Sequence, residues 1–206
     1  KDLRLHFAKI VSEQTLLFPI LLISLAQTIV GIIAALAPAL AQQLFNKNLA
    51  ETSHFLVLPA GIGLILGSVV AGKLLQSQSK VRVIFAAFFA AAGMLLLMAA
   101  LPIIGKIVPL TYATAIITFG LGFLDAGMIV ASQTLLQMAS TDSLRGQIFG
   151  TLNMMINIAA LVPVFIAGLL ADIFTPLSVI GTIGVVLGLL GILFLKIFGK
   201  ISAKYA

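Results

Sequence analysis

The stretch GLGFLDAGMIVASQ, residues 120–133, carries a single charge, Asp125. Three hydroxyls of its segment share its helical face. From Thr114 through Thr118 and Asp125 to Ser132 the successive spacings are four, seven and seven residues. At about 100° per residue, these four side chains fall in one narrow stripe of a helix. A carboxyl beside hydroxyls, screened from water, suits two tasks: binding a proton, or offsetting the charge of a cationic solute. Gln27, Asn153 and Asn157, on two other apolar segments, could add hydrogen bonds to the same solute.

Other chemistry lacks its partners. An aspartyl protease needs two carboxyls sharing the acid and base roles, whereas Asp125 is alone within its apolar segment and Asp172 lies at the end of another. A serine nucleophile needs an adjacent base, and the two histidines, His6 and His54, sit outside or at the edge of the apolar segments. No grouping of His, Asp and Glu has metal-ligand spacing. With no cysteine there is neither a thiolate site nor a disulfide. GSVVAGKL (67–74) opens like a phosphate-binding loop, but Leu74 stands where Ser or Thr must hold magnesium. No enzymatic activity, metal or cofactor is expected.

The elements that carry Asp125 follow from the distribution of charge. Only 9% of the 206 residues are charged, against about 25% in a soluble domain. Six long gaps separate the other charged residues: 14–46, 52–72, 83–105, 107–141, 146–171 and 173–195; Asp125 is the lone charge inside one of them. A membrane-spanning helix needs about 20 mostly apolar residues, so each gap accommodates one span. The reading is an all-α integral membrane protein with spans near 17–41, 55–75, 83–104, 109–136, 147–171 and 177–198, together a six-helix bundle over 17–199. Residues 1–16, with Leu3, Phe7, Ile10 and Val11 at helical spacing among charges, suit an amphipathic helix on the cytoplasmic face. Residues 200–206 form a short tail.

Lysine and arginine fix the orientation. With a cytoplasmic N-terminus, ten of the twelve basic residues fall on inside segments and only Lys47 and Lys106 fall outside, as the positive-inside rule requires. Both termini are then cytoplasmic. Basic residues at span ends serve topology, so the net charge of +6 does not point to nucleic acid.

Side-chain polarity sorts the spans. The third (VIFAAFFAAAGMLLLMAAL) has no polar side chain and the sixth (VIGTIGVVLGLLGILFL) only Thr182, so both are expected to face lipid nearly all round. The first (Ser24, Gln27, Thr28), the fourth and the fifth are expected to line a cavity. Short connections lead us to expect sequential helices as packing neighbours. The second span places Ala60, Gly63, Gly67 and Ala71 on one face, which suits close helix packing. A faint repeat relates AGKLLQSQSKVRVI (71–84) to AGLLADIFTPLSVI (167–180) at an offset of 96 residues, on opposite sides of the membrane. Two three-helix units of opposite orientation are the pattern of inverted-repeat transporters.

The segment TLLQMASTDSLRGQIFGTLNMMINIAALVPVFIAGLLADIF (134–174) resembles the tenth and eleventh helices of major facilitator superfamily transporters, especially bacterial exporters. Leu144-Arg145-Gly146, Phe149-Gly150 and Gly168 through Asp172 match that pattern, whereas the loop proline is replaced around Thr141 and the second arginine is Gln147. GLILGSVVAGKL is similar to the family's eighth helix running into its basic loop. The resemblance covers nearly all of this chain but half of a family member. It implies the C-terminal half of a twelve-helix fold, its six helices forming two inverted three-helix repeats. The implied activity is secondary transport of a small solute by alternating access, with export expected, across the bacterial inner (plasma) membrane. The implied partners are the lipid bilayer and an N-terminal six-helix half, or a second copy of this chain. Asp142 and Arg145, three apart, would form a charge contact in the cytoplasmic loop. The alternative is a non-transporting six-helix scaffold or assembly subunit.

Overall fold

The computed structural model describes residues 14–139 and 145–202; the side chains of 14–18, 139, 145–149, 151–153, 155, 157, 159 and 197–202 also fall outside it. The described part is helical, with no strand: α1 Gln14–Phe45, α2 Leu49–Leu56, α3 Leu58–Ser77, α4 Lys80–Ala99, α5 Leu101–Ile104, α6 Leu110–Ala139, α7 Arg145–Ile173 and α8 Pro176–Ser202. Residues 1–13 of the expected amphipathic segment and 203–206 of the tail lie outside the described residues.

Five stretches are long and apolar enough to cross a bilayer: Pro19–Phe45, Leu49–Ser77, Lys80–Ala99, Leu110–Met138 and Pro176–Lys196. The chain is an all-helical integral membrane protein. Helix α7 adds the shorter apolar run Ala160–Ile173. Helices suit this solvent because they satisfy their backbone polar groups internally. Proline marks the joints. Pro59 stands near the start of α3, and Pro102 opens the separate turn α5, so residues 83–104 form two helices in place of one span.

The packing departs from chain order. Helix α3 packs chiefly on α6, α4 on α8 and α6, and α1 on α7 and α6, while the consecutive pairs α3–α4 and α7–α8 barely touch. Sequential helices are therefore not the main neighbours. A short loop fixes the distance between two helix ends but leaves the rest of the helices free to diverge. The small residues of α3 decide the tightest of these contacts. A Cβ on Gly63 would overlap the Phe119 carbonyl oxygen and lie 2.9 Å from the Phe123 nitrogen; one on Gly122 would overlap the Ala60 carbonyl. The α3 and α6 backbones thus touch directly, the arrangement small residues permit in membranes.

Helix α4 corrects the polarity sorting. Half of its apolar stretch is buried, the largest share of the five, and Ile84, Phe88, Leu95 and Met98 are almost fully enclosed. In a bilayer, lipid and protein interior are equally apolar, so the lack of polar residues does not select the lipid side. Helix α8 buries one face on α4 and leaves Val185, Val186, Leu189 and Leu193 about half exposed.

The turn after α1 and the end of α3 offer probes of orientation. Lys47 and Gln76 are exposed, whereas Asn46 adopts φ 53° and bonds Gln42, and the Ser79 hydroxyl is buried. With the N-terminus inside, Lys47→Cys reacts with an impermeant thiol reagent added outside and Gln76→Cys does not. The opposite labelling inverts the topology.

Candidate functional site

The α6 stripe faces inward. Thr114 and Ser132 are fully buried, Thr118 is 5% exposed and Asp125 7% exposed, all covered within this bundle. Asp125 lines a cavity of about 340 Å³ enclosed by α1, the α2–α3 junction, α4 and α6. Its wall is Ala, Val, Ile, Leu, Met and Gly, with Asp125 and Thr118 as the polar members. The mouth lies beside Val30, Val57 and Leu64, each at least 40% exposed.

The carboxyl is not satisfied by the chain around it. The Asp125 Oδ1 atom is buried without a hydrogen-bond partner, and so is the Ser132 hydroxyl. Most buried polar atoms in proteins are bonded, and a carboxyl in hydrocarbon is costly. In its ionised form the acid cannot turn to its own backbone, because a carboxylate only accepts and the helical N–H groups are already used. Asp125 therefore offers its acceptor to whatever enters the cavity.

The threonines behave otherwise. Thr114 donates to the Leu110 carbonyl at 2.8 Å, and on α1 Ser24 and Thr28 donate to Ile20 and Ser24 at 2.8 Å. Such bonds to the preceding turn satisfy a hydroxyl without any cavity. Ser24 and Thr28 are thus satisfied whether or not they line a cavity. Thr118 does something the sequence reading missed. Its Oγ1 lies 3.0 Å from Thr114 O, 3.2 Å from Ala115 O and 3.3 Å from Phe55 O on α2. The Phe55 carbonyl would normally receive the N–H four residues on, which is Pro59 and has none. The signal was present in the sequence as that proline; the donor lies 63 residues away.

Among the other expected site residues, Gln27 is the one whose side chain the structure describes, and it does not join Asp125. Gln27 is exposed on α1 and is absent from the cavity wall, although its neighbour Ala26 belongs to it. Asn153 and Asn157 sit on α7, with side chains outside the described residues, and no described α7 residue lines this cavity. Asp142 and the Arg145 side chain also lie outside the described residues. A second cavity, about 560 Å³, opens between α1, α7 and α8 and has no charged side chain among its lining residues. Its hydroxyls Thr28 and Thr182 are bonded to Ser24 and Ser178 carbonyls, and Ser178 pairs with Thr175.

The chain matches no family model, no curated protein and no solved structure.

Proposed function

We propose that this chain is the six-span half of a secondary transporter, moving a small solute across the plasma membrane by alternating access, with Asp125 as its proton site or counter-charge. The observation carrying the reading is a buried, unpartnered carboxyl in an apolar cavity that has an opening. A structural aspartate serving this bundle alone would be bonded within it, so the partner of Asp125 is a solute, a proton or a group of the other half. The resemblance of 134–174 to exporter helices supports the outward direction.

The repeat supports two inverted three-helix units with both termini inside. Exchanging each of α1, α3 and α4 with α6, α7 and α8 converts the α3–α6 contact into the α7–α1 contact, and both are main packing pairs. The matched positions also share environments. Ala71 and Ala167 are 2% and 4% exposed, and Ile84 and Ile180 are both fully buried. Gly72 and Gly168 each face open space.

The test is transport by the full-length protein carrying Asp125→Asn, which keeps the shape and removes the charge. Membrane insertion stays normal while transport falls by about a hundredfold or more, the range for losing an acid–base group. Undiminished transport with the same pH profile rejects the role of Asp125.

A further inference from the structure

The Asp125 cavity is bounded on one side by a joint in the second span. Leu56 and Val57 line it above the joint, Ala60, Gly61 and Leu64 below. Below the joint the chain cannot move independently of α6, because Ala60 and Gly63 lie in backbone contact with Gly122 and Phe119. Above it, the eight-residue α2 is held by side chains: Thr52 and Leu56 are buried, Phe45 meets the Phe55 ring edge-on at 4.7 Å, and Thr118 reaches the Phe55 carbonyl. At the joint one ladder bond is missing, the one Pro59 cannot give to Phe55, between the intact bonds Val57 N–H to Ser53 and Gly61 N–H to Val57.

We propose that the second span is hinged at Val57–Pro59, and that Thr118 is the catch that holds the end of α2, with Leu56 and Val57, in the wall of the Asp125 cavity. One hydroxyl proton faces three carbonyls. When it turns to Thr114 or Ala115, Thr118 remains satisfied within α6 and only the Phe55 carbonyl is released. That carbonyl then needs water or a solute donor, either of which enters through the mouth that the movement widens. The catch therefore releases without stranding its own donor. Closed α2 is nearly continuous with α3, since Val57 keeps helical dihedrals of φ −95° and ψ −45°. Thr118 acts as a positioning residue, and its effect does not depend on whether Asp125 binds a proton or a solute.

The consequence is a coupling between Thr118 and Pro59. Pro59→Ala supplies the missing N–H, satisfies Phe55 within the helix and makes the catch superfluous. Access to the cavity is read by the rate at which dicyclohexylcarbodiimide, an apolar carboxyl reagent, modifies Asp125 of the full-length protein in membranes, mapped by mass spectrometry. This readout needs no transport, so a failed transport role for Asp125 leaves it intact. Thr118→Val is expected to speed modification about fivefold, the weight of one neutral hydrogen bond, while Thr118→Ser matches wild type. Pro59→Ala slows modification, and adding Thr118→Val to it has no further effect. Equal rates for Thr118→Val and wild type, or the same acceleration in the Pro59→Ala background, overturn the hinge. If Thr118→Val fails to assemble, Pro59→Ala alone decides: slower modification supports the hinge, and an unchanged or faster rate overturns it.

Discussion

Gly122→Ala is expected to weaken this bundle by about 3 kcal/mol, the upper range for overpacking a tight contact, while Gly72→Ala leaves it unchanged or slightly firmer. The two substitutions add the same methyl group to helices that pack together. At Gly122 the new Cβ would overlap the Ala60 carbonyl oxygen, 2.8 Å from its carbonyl carbon and 3.1 Å from its Cα, and none of these atoms can rotate aside. Relief requires α3 and α6 to move apart along their shared length, which also loosens Gly63 against Phe119 and Gly67 against Phe123. At Gly72 no atom lies within 4 Å of the added methyl, and alanine is the better helix former. Thermal unfolding in detergent, followed by loss of monodisperse protein, compares the two. A Gly122→Ala protein as stable as Gly72→Ala would show that the α3–α6 backbone contact does not hold the bundle together.

The same contact shows what the sequence could reveal. The Ala60–Ala71 stripe predicted a close helix approach, because small residues are legible one helix at a time. The partner went unnamed, although α6 carries Gly122 and Ala126 four residues apart and a Cβ on Gly67 would lie 3.0 Å from that of Ala126. All-helical membrane architecture was readable from the charge gaps, because backbone satisfaction in lipid leaves few alternatives. Which face of each helix turns inward was less readable. Ser24, Thr28 and Thr182 look polar on paper and bond their own preceding turns, and the featureless α4 lies at the centre. Asp125 stood out for a sound reason: its carboxyl finds no partner within its own helix, so its polarity must be answered by other elements or by a ligand. Gln27 did not join it. Gln27 occupies an exposed face, and nothing in residue type alone distinguishes an amide near a cavity from one on a perimeter.

Asp125→Leu is expected to stabilise the protein while abolishing transport. Only 7% of Asp125 is exposed, and its buried Oδ1 has no partner. An unsatisfied buried polar group opposes folding by about 1–3 kcal/mol. Leucine removes that group, and the adjoining cavity of about 340 Å³ leaves room for its extra carbon atoms, so the overpacking that penalises Gly122→Ala does not arise. The gain should appear as a rise of several degrees in the unfolding transition, at about 2–4 °C per kcal/mol for a chain of this size. Transport should be lost together with the acid. Gain in stability with loss of activity is the signature of a group kept for its task at the expense of the fold. A structural aspartate, bonded across to another part of the complete protein, behaves in the opposite way: breaking a buried polar pair leaves its partner stranded, so Asp125→Leu would lower the transition. The sign of that shift, measured on the full-length protein, separates a transport site from a structural bond.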